Sequence, residues 1–249
     1  MTAVQVLDDV WLVGSGTHET AFTDPHDCHC YLIWDGESGF LIDAGSGLGE
    51  QTWLANIEQV CDPFRLDSVL ITHYHADHAG GAATARELGL QVRGHPLTTQ
   101  ALLTGDEERT QVARARAAGI YPADYRLRPA TLEPIRGGQH VRSGDVCLEA
   151  VDAPGHSDGH LVFLLHGTRG TVLFSGDCLF AGGRVSLQAI PDCRLDLYAT
   201  TVIGLADRGV DVLLPGHGEL VLERARNDLD RAAATFRRLV PPENVLPAD

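Results

Sequence analysis

Nowhere in the 249 residues does an apolar run approach the ~20 positions that a membrane-spanning helix needs. The opening MTAVQVLDDVWLVG also lacks the basic start and the roughly 7 to 15-residue apolar core of a secretory signal. A soluble, cytoplasmic protein with no membrane partner is the expectation. Basic residues are scarce as well, 19 against 34 acidic, for a formal net charge of −15. A nucleic-acid backbone would be repelled unless a strong basic patch intervened. No such patch is visible, because Arg114 with Arg116, and Arg224 with Arg226, read as solvated helix faces. A small-molecule substrate is therefore expected, and nucleic acid is not. Six cysteines in a chain of this size do not indicate a disulfide framework. Cys28 and Cys30 flank His29, but they alternate within DCHCYLIWD, which reads as a strand, and a structural role is expected of them. Low-complexity tracts and linkers are absent, so one domain over 1–249 is expected.

What is present is a mixture of α and β patterns. VQVLDDVWLVG, CHCYLIWD and GFLIDAG read as successive strands, the last two joined through Gly36 to Gly39. GEQTWLANIEQV has helical spacing that places Leu54, Ile57 and Val60 on one side. DSVLITH reads as a strand and DHAGGAATARELGL as a helix. The segment 97–134 differs in character and predicts a helical insert, one or two helices followed by a proline-marked loop. DVCLEAVDAPGH and HLVFLLHGTRGTVLFSGD follow, the latter divided in the manner of a hairpin between Gly167 and Gly170. CRLDLYATTVIGLADRG reads as a helix, VDVLLPGH as a strand, and ERARNDLDRAAATFRRLV as a closing helix.

The chemistry concentrates where strands run out. THYHADHAGG crowds His73, His75, Asp77 and His78 just after SVLIT; His156 follows VDAPG, Asp177 follows VLFSG, and His217 follows VLLPG. Glycines beside most of them let the backbone turn sharply. Imidazole and carboxylate suit zinc and similar divalent ions, and catalytic sites leave a position open for water. Five histidines and two aspartates exceed the demand of one four-coordinate ion and fit two. GHSDG at 155–159 also matches the GxSxG serine elbow, but that motif needs a helix after the serine, and HLVFLL reads as a strand.

HYHADH, together with LIDAG, APGHSDGH, FSGD and LLPGHGE in that order, resembles the motif set of the metallo-β-lactamase fold superfamily, in particular its glyoxalase II-like hydrolases. The resemblance implies an α+β fold, a four-layer αββα sandwich. It implies that His73, His75 and His156 hold one metal, that Asp77, His78 and His217 hold a second, and that Asp177 bridges two divalent ions of zinc, iron or manganese. Asp43 in LIDAG would orient the ligands, a task whose loss typically costs roughly 10 to 100-fold in affinity or activity. Water held between two such ions has its pKa pulled from about 15.7 toward about 7, so hydroxide is available to attack a carbonyl. Asp77 is the candidate for assisting proton transfer.

For substrate, the bridging aspartate points away from antibiotic hydrolysis and toward thioesters, esters or lactones. Familiar glutathione binding is not expected, because only 32 residues follow His217 and glyoxalase II enzymes carry a longer helical region there. Tyr121, Tyr125, Arg126 and Arg128 are candidates for a lid, with Tyr121, Tyr125 and Arg184 as candidate substrate contacts; His18, His26 and His29 are expected at the surface. The alternative enzyme class is a persulfide dioxygenase-like protein using a single iron on His73, His156 and Asp177.

Overall fold

The computed structural model describes residues 1–167 and 170–246. Packing divides the chain into two compact units, Met1–Ile135 with Arg142–Val146, and Arg136–Val141 with Cys147–Asp249.

In the first unit the chain begins β1 (Val4–Leu7), β2 (Val10–Gly14), β3 (Cys30–Trp34) and β4 (Gly39–Ile42). The run VQVLDDVWLVG, expected as one strand, is thus two, because Asp8 and Asp9 turn the chain and the Gln5 side chain donates to the Asp8 carbonyl at 2.8 Å. Next come α1 (Glu50–Glu58) and β5 (Leu66–Ile71). The buried face of α1 is Trp53, Asn56 and Ile57 rather than Leu54, Ile57 and Val60. Asn56 is buried although polar, since its amide donates to the Val13 carbonyl at 2.9 Å; apolar periodicity alone cannot register such a contact. The predicted helix over DHAGGAATARELGL is two short ones, α2 (Ala76–Ala79) and α3 (Ala82–Glu87). The break falls at Gly80 and Gly81, where a Cβ would lie 2.1 Å from the carbonyls of Ser46 and Ala44 respectively.

The unit continues with β6 (Gln91–Gly94), α4 (Pro96–Thr104), α5 (Val112–Ala117) and β7 (Glu133–Pro134). Helix α4 starts with proline at its first position and stops at Gly105 in the left-handed conformation, a common pairing of start and stop signals. Strands β1 to β7 form one sheet in sequence order, antiparallel from β1 to β4 and parallel from β4 to β7. The β5 sequence LDSVLI is nearly all buried, as a strand covered on both faces requires. After α5, Tyr121, Tyr125, Leu127, Ala130 and Leu132 pack into the same core as Trp53, Val69 and Val92.

The second sheet runs in the order β12, β11, β10, β9, β8, from β8 (His140–Ser143), β9 (Val146–Asp152), β10 (Leu161–Gly167), β11 (Gly170–Gly176) and β12 (Val210–Pro215). Strands β10 and β11 pair antiparallel down to Gly167 opposite Gly170. Thr168 and Arg169, in the predicted turn, lie outside the described residues. Strand β12 pairs parallel to β11, across a connection that contains α6 (Leu195–Ala206). The last helix, α7 (Arg226–Arg237), buries Leu229, Ala232, Ala233 and Phe236, an i, i+3, i+4, i+7 stripe. Phe236 stacks on Tyr198 of α6 with ring centroids 6.1 Å apart. Among the described residues, no helix is long and apolar enough to cross a membrane.

Candidate functional site

In the first unit the candidate ligands leave the end of β5. Thr72 to His75 continue in non-helical backbone, and His75 is the N-cap of α2 at φ −62°, ψ 144°. Two residues apart along such backbone, His73 and His75 present rings on a common side, with centroids 4.6 Å apart and His73 Nε2 3.0 Å from His75 Nδ1. Two nitrogens sharing a tetrahedral zinc at about 2.0–2.1 Å would be separated by about 3.3 Å. Asp77 and His78 sit on the first turn of α2, His78 Nε2 lying 3.5 Å from Asp77 Oδ2. The glycine pair after them has a local reason: the loop after β4 crosses there, with the amide of Ala44 donating to the His78 carbonyl at 2.8 Å and that of Gly81 to the Gly45 carbonyl at 3.1 Å.

Asp43, at the end of β4, is buried and adopts φ 60°, a left-handed conformation that aspartate tolerates better than most residues. That geometry directs its carboxylate to three groups on two residues. Oδ1 accepts from the Thr72 amide at 2.7 Å, Oδ2 accepts from the Thr72 hydroxyl at 2.9 Å, and Oδ2 lies 2.8 Å from His78 Nδ1. A carboxylate offers only acceptors, so Nδ1 carries the proton and Nε2 keeps its lone pair for a metal. Thr72 was not singled out from the sequence, although it directly precedes HYHADH.

In the second unit His156 follows β9 after Ala153, Pro154 and Gly155. Gly155 has φ +146°, and a Cβ there would stand 2.4 Å from Tyr198 Cα, so only glycine fits. His156 Nδ1 donates to the Ser186 carbonyl at 3.1 Å, which leaves the lone pair on Nε2, 3.6 Å from Asp177 Oδ2. Asp177 itself follows β11 through Gly176. Its other oxygen, Oδ1, lies 3.6 Å from His217 Nε2, beyond the end of β12. The two carboxylate oxygens of Asp177 thus face two different imidazoles.

Asp177 is held from behind. Its amide donates to His160 Nε2 at 3.2 Å, and its carbonyl accepts from the Tyr198 hydroxyl at 2.7 Å, which in turn accepts from the Ser186 amide at 3.1 Å. Tyr198 therefore ties together the supports of both His156 and Asp177. His160 stands within APGHSDGH, so a signal for it existed; Tyr198 has none, being one aromatic in an apolar helix. Ser157 of GHSDG is buried and is followed by β10, not by a helix.

The remaining candidates have local partners. Tyr121 and Tyr125 are buried and stacked, centroids 4.5 Å apart, and the Tyr125 hydroxyl donates to the Ser46 carbonyl at 2.7 Å. Burial pushes both phenols well above their usual range. Arg126 donates to the carbonyls of Ala123 and Tyr125, and Arg128 pairs with Glu87 and Glu50. Arg184 donates from Nε to the Ala181 carbonyl at 3.0 Å. His29, expected at the surface, is buried instead, with Nδ1 2.9 Å from the Ser15 hydroxyl; a polar partner inside the fold removes the cost of burying its ring. His18 and His26 are half-buried.

The donor set fits divalent metal. Two of its imidazoles, His78 and His156, are oriented through Nδ1 by a carboxylate and a carbonyl respectively, as metal-ligating histidines are, and its Asp177 carboxylate presents both oxygens. Similarity to known proteins agrees with this chemistry. The chain is 24% identical over 208 residues to the atrochrysone carboxyl ACP thioesterase nsrC of Aspergillus novofumigatus, 84% of this chain and 54% of that protein. It is 32% identical over 149 residues to a hydroxyacylglutathione hydrolase of Halorhodospira halophila, 59% of this chain and 44% of that one. The chain spans about half the length of these curated relatives. Among solved structures, the MIM-2 metallo-β-lactamase superposes with TM-score 0.71 at 22% identity, over 96% of this chain and 88% of the other. A Cronobacter sakazakii metallo-β-lactamase mutant gives 0.73 at 20%, over 96% of each. At such identities these structures establish the α+β fold alone. The family model of the metallo-β-lactamase superfamily matches residues 23–217, and to that superfamily the chain belongs.

Proposed function

We propose that the protein is a hydrolase with a dinuclear, zinc-type centre that cleaves a thioester, ester or lactone. His73, His75 and His156 would hold one ion, Asp77, His78 and His217 the other, and Asp177 would bridge them. The observation that carries this reading is Asp177, whose Oδ2 and Oδ1 face His156 and His217 separately, each at 3.6 Å. A carboxylate serving one ion would not need its oxygens divided between two imidazoles. Preference for a thioester draws support from the printed names of the relatives, a carrier-protein thioesterase and a hydroxyacylglutathione hydrolase.

When bound, such ions make hydroxide available near neutral pH and polarise a carbonyl. The residues of the chain supply the rest. Asp43 and the Ser186 carbonyl hold the protons of His78 and His156 on Nδ1, so that both rings present Nε2. Asp77, with a side chain 26% exposed, is the carboxylate able to take a proton from water and return it to a leaving group. The formal charge of −15 disfavours polyanionic substrates.

The test is metal quantification on the purified protein and on Asp177→Ala, with turnover of a panel of thioesters, lactones and a chromogenic β-lactam. Two equivalents of metal and thioester, ester or lactone turnover in the wild type, with both lost or halved in the variant, is the expected result. Unchanged metal content and full activity in Asp177→Ala would overturn the bridging role. One iron with oxygen consumption would replace the hydrolase by an oxygenase.

A further inference from the structure

We propose that the Tyr121 hydroxyl is a catalytic hydrogen-bond donor, engaging the carbonyl oxygen of the substrate as that oxygen becomes negative. The inference rests on the hydrolase reading and adds a residue to it. Tyr121 and Tyr125 look alike in the sequence, and the structure separates them. Both rings are buried in the first unit and stacked on each other. The Tyr125 hydroxyl is already engaged, since it donates to the Ser46 carbonyl at 2.7 Å. The Tyr121 hydroxyl has no hydrogen-bond partner among the described residues, and it is not one of the polar atoms sealed inside the fold. A buried phenol ordinarily finds a partner for its O–H. Here the O–H is left for a ligand oxygen.

The ring that carries it is fixed. Tyr125 stacks on it with centroids 4.5 Å apart, and His26 stacks on it at 5.4 Å. His26 is held in turn by Asp24, whose Oδ1 lies 2.6 Å from its Nδ1. Arg116, paired with Glu107, donates to the Tyr125 carbonyl at 2.9 Å and fastens the loop after α5. A donor placed in this way needs little reorganisation at the moment of reaction.

Its surroundings are those of Asp77. The Cys28 amide donates to the Asp77 carbonyl at 3.1 Å, so the loop that carries His26 lies against the turn that carries Asp77. Burial first, and then the charge of Asp77, push the Tyr121 phenol far above its usual range, and Asp77 is the leading charge acting on Tyr125 as well. Tyr121 therefore remains an O–H donor, close to the carboxylate to which the proposed function gives proton transfer. In attack on a thioester, ester or lactone the carbonyl oxygen takes up negative charge. An ionised Asp77 nearby opposes that charge, and a neutral O–H aimed at it offsets the opposition.

Tyr121→Phe keeps the stacked ring and removes the hydroxyl alone. Steady-state kinetics of the metal-loaded variant, on whichever thioester, ester or lactone of the panel the wild type turns over, test the role. The expected result is a kcat lower by on the order of 100-fold with KM nearly unchanged, because the bond strengthens in the transition state. Metal content and Tm should match the wild type, since no bond within the protein is lost. Unchanged kcat overturns the role of Tyr121 and leaves the hydrolase reading standing; so does a rise in KM alone, which marks a ground-state contact. A fall in kcat that comes with lost metal or a lowered Tm makes the hydroxyl structural and also overturns it. Absence of any turnover in the metal-loaded wild type removes the hydrolase reading, and this role with it.

Discussion

Replacing Asp43 by asparagine alters one charge and almost no volume, and the contacts around it allow the effect to be worked out. The asparagine carbonyl can stay on the Thr72 amide, where Oδ1 now accepts at 2.7 Å. Its NH2 then faces His78 Nδ1, where a carboxylate oxygen stood at 2.8 Å. Two donors cannot share that contact, so the proton on His78 shifts to Nε2, the nitrogen needed as a ligand. A loss of roughly 10 to 100-fold in metal affinity follows, equivalent to about 1.4–2.7 kcal/mol. Stability of the metal-free protein should change little, because asparagine also tolerates the φ of 60° and keeps the Thr72 bond. Asp43→Ala provides the contrast: it leaves the buried Thr72 amide without that acceptor, costing a further ~1–3 kcal/mol. In a chain of this length each kcal/mol lowers Tm by about 2–4 °C. Competition with a chromophoric chelator measures affinity, and thermal unfolding of the apo-proteins measures stability. If Asp43→Asn holds metal as tightly as the wild type, the orienting role of Asp43 is wrong.

Gly155→Ala should be the most damaging single methyl in the second unit, since its Cβ would meet Tyr198 Cα at 2.4 Å at a φ of +146°. Strain and overpacking together predict a loss of about 2–6 kcal/mol, read as a lowered denaturant midpoint. Tyr198→Phe removes the bonds to the Asp177 carbonyl and from the Ser186 amide, and about 1–3 kcal/mol of destabilisation should accompany weaker metal retention; unchanged retention would mean that these supports do not position the ligands. Asp35 is held below the usual carboxylate range by the amides of Ser38, Glu37 and Asp145. A depressed folded-state pKa gives stability that is present above the unfolded value near 3.9 and disappears as pH falls through the folded value. Asp35→Asn should therefore flatten the acid limb of a stability-against-pH curve and leave its dependence above pH ~6 unchanged.

The superfamily and the α+β class were legible because strand ends, glycines and metal-type side chains recur as local motifs, and each of those signals is carried by a few adjacent residues. HYHADH announces its chemistry through residue type alone, and the glycines behind it announce a close crossing. Other features have no local signature. Asn56 looks polar and exposed until Val13 is found beside it, His29 until Ser15 is, and Tyr198 is one ring in an apolar helix until its hydroxyl meets Asp177 and Ser186. The division of VQVLDDVWLVG into two strands depends on a turn that competes with strong β propensity.

By itself, then, the amino-acid order determined which side chains are available for metal chemistry and which periodicities build the sheets, since these depend on residue type and spacing. Only the tertiary structure decided which nitrogen of His78 and His156 carries the proton, and that the oxygens of Asp177 are divided between two imidazoles. Those facts depend on partners distant in sequence, and hydrogen-bond and ligand geometry exists only once the chain has brought such partners within reach.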